Sequence, residues 1–165
     1  MSKKRNIEIV IVLDNIRSMH NIGSIFRTSD AFDINSIFLC GICATPPNKE
    51  IHKTALGSTQ TVKWQYFSST KNAITKLVHE GYHIIAVEQT KNSSSLNNTT
   101  IKKNKIALVL GNEVKGISSE ILSQANQCIE IQQYGTKTSM NVSVVAGIML
   151  WCVKNNRPLT KEERA

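Results

Sequence analysis

The stretch IEIVIVL at residues 7–13 is an unbroken, mostly β-branched run. Such a run is typical of a strand that is buried on both faces of a sheet. Outward from it, strand-like and helix-like segments alternate: we expect strands at 36–40, 62–66, 82–87, 105–110 and 128–131, and helices at 21–32, 69–80, 118–124 and 140–154, with a helical turn near 50–56. Strands that alternate with helices predict an α/β fold with a mainly parallel sheet and helices on both faces.

The length of the chain, 165 residues, is enough for one domain. We expect residues 1–154 to form that domain and residues 155–165 to be a tail. The longest apolar run, 144–153, is shorter than the about 20 residues that cross a bilayer. No small-residue cleavage site follows the basic N-terminus, so a signal peptide is not expected. The sequence therefore predicts a cytoplasmic protein with no membrane segment.

The formal net charge of +8 favours a polyanionic partner, and nucleic acid above all. Lysine and arginine cluster at residues 3–5 and 102–105. Aromatic residues make up only 5% of the chain, which argues against the broad stacking surfaces of RNA-recognition-motif or OB domains.

The sequence motifs do not support a metal site or a nucleoside-triphosphate site. Cys40 and Cys43 form a CxxC without a second pair, and the four histidines lack metal-ligand spacing, so we predict no metal site. We expect the two cysteines to be small residues at a strand end. Neither a Walker A loop, a GxGxxG fingerprint nor a GxSxG elbow is present.

Two segments carry polar residues that a core does not require. In the first helix, Asn21 could be the N-cap. Arg27 lies one position off the apolar stripe, so its side chain could point towards a cleft, or it could be solvated or form an ion pair with Asp30. Gly111 and Gly116 follow an apolar strand at the kind of position where α/β sheets bind ligands, although both could equally be turn glycines.

The last predicted helix, residues 140–154, is apolar on every side except at Asn141, Ser143 and Gly147. A helix without a polar face must be buried all round, and in a small domain a second copy of the chain can bury it. We therefore predict a homodimer with two-fold symmetry. Ser139 could cap this helix, and the amide of Asn141 in its first turn needs a partner.

Three motifs taken in this order carry a family resemblance: Asn21 with Arg27, then LGNE at 110–113, then SMNVS at 139–143. Together they resemble the SpoU/TrmH branch of the SPOUT superfamily, the RNA 2′-O-ribose methyltransferases, over residues 7 to about 154. The resemblance implies a parallel α/β sheet with a C-terminal trefoil knot, a rare exception to unknotted topology. It also implies S-adenosylmethionine as the cofactor, and a homodimer with active sites near its interface.

The resemblance assigns roles to particular positions. The catalytic positions would be Asn21, Arg27, Glu113, Ser139 and Asn141. The cofactor contacts, largely through the backbone, would be Gly111, Ile131 and Met140, with Glu88 nearby. The chain departs from many relatives at Gln132, where they carry proline, and at Met140, where they carry leucine.

The role of Arg27 stays open between a general base and a cation that fixes a phosphate and stabilises an alkoxide, because guanidinium groups stay protonated in proteins. The residues nominated for RNA contacts are Arg17, His20, Lys49, Lys53, Lys102, Lys103 and Lys105. A small single-domain enzyme favours tRNA over rRNA as the substrate. The alternatives are the same chemistry on rRNA, a non-catalytic knotted RNA-binding module, and base methylation. A 2′-OH requirement predicts no activity on DNA.

Overall fold

A computed structural model describes residues 7–155. The basic cluster at 3–5 and the predicted tail beyond residue 155 lie outside these residues. The strands are β1 Glu8–Asp14, β2 Ser36–Cys40, β3 Trp64–Phe67, β4 His83–Val87, β5 Ser94–Ser95, β6 Lys105–Leu110 and β7 Gln127–Glu130. The helices are α1 Met19–Ala31, α2 Lys49–Ala55, α3 Thr70–His79, α4 Ser119–Leu122 and α5 Val142–Asn155.

The strands form one parallel sheet in the order β3-β2-β1-β6-β4-β7-β5. The β-branched run that opens the chain pairs with β6 from Glu8 opposite Lys105 to Leu13 opposite Leu110. This central pair is buried on both faces, so the predicted α/β fold with a mainly parallel sheet is confirmed. The trefoil knot stays a prediction.

Alternate residues of β1 face two separate hydrophobic cores. Ile9, Ile11 and Leu13 pack in one core with apolar residues of α1, α2 and α5. Val10 and Val12 pack in the other with apolar residues of α3 and α4. This alternation is the consequence of the two-residue period of a strand, and it confirms helices on both faces of the sheet.

Helices α1 and α5 lie side by side and run in the same direction. At their starts, the side-chain amide of Asn141 donates to Oδ1 of Asn21 at 3.1 Å. Further along, a Cβ built on Gly147 would lie 3.8 Å from Cγ2 of Thr28. At their ends, Nζ of Lys154 donates to the backbone oxygen of Asp33 at 3.0 Å. Both helix starts therefore lie at the carboxyl edge of the sheet.

Both predicted helix caps at the site are wrong. The N-cap of α1 is Ser18, whose hydroxyl accepts the N–H of Asn21 at 3.2 Å. Helix α5 begins at Val142, and Oδ1 of the preceding Asn141, not Ser139, accepts the N–H of Ser143 at 2.8 Å. The reason is tertiary: the residues before each helix are held by contacts with distant segments, which fix where the helix can begin.

In the single chain, α5 is buried on one face only, and its burial by a second copy stays a prediction. Val144 is 50% exposed and Trp151 is 60% exposed, whereas Ala146, Met149 and Leu150 are fully buried. One face of the helix packs on the sheet and the other presents apolar side chains. Asn141 is exposed as well, since it precedes the helix.

Candidate functional site

A cavity of about 510 Å³ lies over the carboxyl ends of β4, β6 and β7. Its walls come from the loops that follow these strands and from the starts of α1 and α5. Most of the predicted catalytic and cofactor residues line it: Asn21, Glu88, Gly111, Glu113, Ile131, Ser139, Met140 and Asn141. The three sequence motifs, which are far apart along the chain, therefore meet at one cavity.

Glu113 anchors the start of α1. Its two carboxylate oxygens accept the backbone N–H groups of Arg17 and Ser18, each at 3.0 Å, and Oε1 accepts the side-chain amide of Asn21 at 3.4 Å. A carboxylate at a helix N-terminus also interacts favourably with the helix dipole. Desolvation acts to raise the pKa of Glu113, but these hydrogen bonds outweigh it, so the pKa of Glu113 is lowered.

A chain of hydrogen bonds orients the two asparagines of the cavity. Because the Glu113 carboxylate can only accept, Asn21 turns its NH₂ towards Glu113 and its oxygen towards Asn141. Asn141 in turn donates to Asn21 and directs its own oxygen at the N–H and hydroxyl of Ser143. Glu113 of the second motif thus sets the orientation of the Asn21 amide in the first motif and, through it, of the Asn141 amide in the third.

The glycines after β6 act both as turn glycines and as cavity walls. Gly116 has φ +66°, which favours glycine, and a Cβ there would meet the Glu88 carboxylate. A Cβ on Gly111 would lie 2.6 Å from the carbonyl carbon of Gly116. The Glu88 carboxylate accepts the N–H of Ile117 at 3.0 Å, so it holds this loop folded back beside the cavity.

Arg27 does not line the cavity of its own chain. Six residues along an α-helix place it about 120° around the axis from Asn21. Its side chain is exposed, and it forms no ion pair with Asp30 among the residues described; instead the hydroxyl of Thr61 donates to Asp30. Arg27 precedes Thr28, the residue of α1 that faces Gly147 of α5.

The residues nominated for RNA contacts fall on different parts of the surface. Arg17 is exposed and its backbone binds Glu113 beside the cavity, while Lys49 is exposed on α2. His20 and Lys53 both contact Glu50, at 2.9 and 2.8 Å.

The lysines at 102–105 lie at the other edge of the sheet. Lys105 begins β6, so this cluster is at the strand's amino end, whereas the cavity is at its carboxyl end. Nζ of Lys105 lies 3.8 Å from Glu8 and 5.4 Å from the ring centroid of Tyr82. The structure does not bring Lys102, Lys103 and Lys105 together with the site.

The lining also includes residues of segments already singled out in the sequence, namely Val87, Leu110, Asn112, Gly116 and Val142. Six further lining residues had no role assigned to them from the sequence: Gln89, Val114, Glu130, Gln133, Thr138 and Val145. They flank the motif residues along the chain, so proximity in sequence is the signal that could have identified them. Asn112 also has a structural role, since its side-chain amide donates to the backbone oxygen of Asn15 at 2.7 Å.

The two cysteines of the CxxC are buried thiols at the end of β2, as expected. Burial raises the pKa of Cys40 to about 12 and also raises the pKa of Cys43. Within residues 7–155, no group of three or more histidine, cysteine, aspartate or glutamate side chains could hold a metal ion. In the same range, no helix is long and apolar enough to cross a membrane.

A parallel α/β sheet with a cavity over its carboxyl edge defines a ligand-binding α/β protein. The profile of the SpoU rRNA Methylase family matches residues 8–151. The chain belongs to this family.

Individual relatives extend the comparison. The tRNA (guanosine(18)-2′-O)-methyltransferase of Aquifex aeolicus is 32% identical over 94% of this chain and 72% of its own length. The 23S rRNA (guanosine-2′-O-)-methyltransferase of Neisseria meningitidis is 28% identical over 94% of this chain, which spans 61% of that protein. An AdoMet-bound rRNA methyltransferase from Sinorhizobium meliloti superposes with a TM-score of 0.85 at 26% identity, over 92% of this chain and 57% of that one.

Proposed function

We propose that this protein transfers a methyl group from S-adenosylmethionine to a ribose 2′-OH of RNA. The observation that carries the proposal is the meeting of three motifs at one cavity. Asn21, Glu113 and Asn141 come from segments far apart in the chain and are joined there by hydrogen bonds. A non-catalytic knotted module that only binds RNA need not keep the whole set of Asn21, Arg27, Glu113, Ser139 and Asn141, so we favour the enzyme.

The cavity fits the cofactor in size and chemistry. Its volume of about 510 Å³ lies within the range of small-molecule sites, about 300–1,000 Å³. Ile131 and Met140 offer apolar contact, Gly111 offers close approach to the backbone, and Glu88 lies on the same wall. We propose these four residues as the cofactor site. When bound, the cofactor supplies an activated methyl group on a sulfonium ion.

The task left to the protein is to position the ribose and to stabilise the charge that develops on its 2′-oxygen. The fixed amides of Asn21 and Asn141, with the hydroxyl of Ser139, offer hydrogen bonds for this purpose. Glu113 is a positioning residue, because its carboxylate is already occupied by two backbone N–H groups of α1. The requirement for a 2′-OH excludes DNA as a substrate.

We propose Arg27 as the cation that binds the substrate phosphate and stabilises the alkoxide. A guanidinium stays protonated in proteins, so it suits electrostatic stabilisation better than proton removal. Its side chain is exposed and makes no ion pair within residues 7–155, which leaves its charge available for RNA.

We favour tRNA over rRNA as the substrate. The relative named for tRNA guanosine 18 is 32% identical to this chain, and the match covers 72% of that relative. The relative named for 23S rRNA is 28% identical, and the match covers 61% of it. The base-methylation alternative is disfavoured because both of these relatives are named as 2′-O-methyltransferases. The free thiols of Cys40 and Cys43 agree with a cytoplasmic location.

We also propose a two-fold dimer that closes through α5. Val144 and Trp151 are exposed, and Ile148 lies between them on the same helical stripe. Burial of large apolar side chains of this kind is a main source of dimer stability. Gly147 lies beside Thr28, so the second half of α1, which carries Arg27, is close to the same surface.

The test is methyl transfer from labelled S-adenosylmethionine to RNA that lacks the endogenous modification, separated into tRNA and rRNA, followed by nucleoside analysis. A 2′-O-methylated nucleoside in the tRNA fraction is the expected result. Arg27→Ala should abolish transfer while cofactor binding and the unfolding midpoint stay unchanged, and Lys63→Gln is the matched surface control. Methyl groups on a base, or full turnover by Arg27→Ala, would contradict the respective assignment.

A further inference from the structure

The mouth of the cavity carries exposed apolar side chains that the core does not use. Val114, on the loop after β6, is 80% exposed, and Tyr134, on the loop between β7 and α5, is 82% exposed. Within residues 7–155 no other large apolar side chain is as exposed as these two. Val114 lines the cavity; Tyr134 is not part of the lining, but it directly follows the lining residue Gln133 in the chain. Both loops therefore present an apolar side chain at the rim.

The same two loops carry lysines beside these side chains. Lys115 follows Val114, and Lys137 precedes Thr138; both lysines are exposed. Neither forms an ion pair with any residue between 7 and 155, whereas Lys53, Lys71 and Lys76 on the helices all do. The rim thus combines an exposed aromatic ring with positive charge that the fold leaves unneutralised.

The position of the reacting 2′-OH determines where the other parts of a bound nucleotide lie. If its ribose 2′-OH lies inside, the base and the two neighbouring phosphates remain at the rim. An unstacked base can stack on an aromatic side chain, and phosphates can form ion pairs with lysines. The exposed groups of the rim match both requirements.

We propose that Tyr134 stacks on the base of the methylated nucleotide, while Lys115 and Lys137 contact the phosphates beside it. The proposal rests on the proposed function of the cavity. Stacking accepts any base, since every base has a π face, so Tyr134 contributes affinity and position and does not select the base. The target nucleotide must accordingly be unpaired or splayed out of its helix when it binds.

The experiment measures RNA binding and turnover with an unmodified tRNA transcript and a short single-stranded RNA. Tyr134→Ala should raise the KM for RNA by about fivefold to 150-fold, the equivalent of a stacked base at about 1–3 kcal/mol. Cofactor affinity should not change, and Tyr134→Phe, which keeps the ring, should restore the KM to within about threefold of the natural value. Lys137→Gln should lower the slope of log affinity against log salt by about 0.7, and Lys63→Gln, near the other sheet edge, should not.

The outcomes separate this inference from the proposed function. If the natural protein methylates RNA and Tyr134→Ala leaves the KM for RNA unchanged, the stacking role is overturned and the proposed function stands. If Tyr134→Ala instead changes the molar mass in light scattering, Tyr134 contacts a second copy of the chain and the inference is again overturned. If the natural protein binds the cofactor but neither binds nor methylates RNA, the proposed function fails, and this inference fails with it.

Discussion

At the scale of single residues, Glu113 determines much of the site without reaching a substrate itself. Its carboxylate accepts the N–H groups of Arg17 and Ser18, and its remaining contact turns the amide of Asn21. A neutral amide at residue 113 would offer one acceptor and one donor, and the donor would oppose the N–H groups of α1. A change there therefore acts on both the helix start and the orientation of Asn21.

We expect Glu113→Gln to lower the free energy of unfolding by about 1 kcal/mol at neutral pH, a modest loss because the carboxylate is partly exposed. In the folded protein the pKa of Glu113 is lowered from its ordinary value of 4.5. The carboxylate therefore contributes its full stabilisation above pH 4.5, and this stabilisation is lost as the pH falls through the lowered pKa of the folded state. Urea denaturation over a pH series should show the two proteins converging at acid pH. A difference that stays constant with pH would contradict this role.

At the scale of elements, the sequence predicts what local chemistry determines. The β-branched run of β1 and the Ser69 cap of α3, whose hydroxyl accepts the N–H of Asn72, were both predictable from nearby residues. The starts of α1 and α5 were not, because Ser18 and Asn141 are held by Glu113 and Asn21 from distant segments. The order of the sheet depends on non-local pairing in the same way.

Helices α1 and α2 pack so closely that only glycine fits between them. A Cβ on Gly23 would clash with Oγ1 of Thr54 and with the backbone oxygen of Ile51. We expect Gly23→Ala to destabilise the fold by about 1–3 kcal/mol through overpacking, despite its better helix propensity. Ser24→Ala, at the next position, should be neutral or slightly stabilising. Chemical denaturation of the two variants measures the difference, and equal stability would contradict the close packing.

At the scale of the whole molecule, the proposed dimer would explain both the position of Arg27 and the exposed face of α5. Arg27 is outside the cavity of its own chain and lies beside Thr28, level with Gly147 of α5. The exposed apolar stripe with Val144 and Trp151 is on that helix. In a two-fold dimer closed through the stripe, Arg27 of each subunit lies next to the other subunit. We therefore expect Arg27 to serve the partner's cavity and Asn21, on the same helix, to serve its own.

This arrangement predicts complementation between two inactive variants. When equal amounts of Arg27→Ala and Asn21→Ala subunits pair at random, about half of the dimers are mixed. Each mixed dimer has one intact site, which combines Asn21 of one subunit with Arg27 of the other. About a quarter of the natural methyl transfer should therefore return. Adding Trp151→Glu to both chains buries a charge at the interface, and it should separate the subunits and remove the restored activity. If light scattering shows mixed dimers and no activity returns, Arg27 must act within its own chain, and the helix would have to turn or bend for it to reach the cavity.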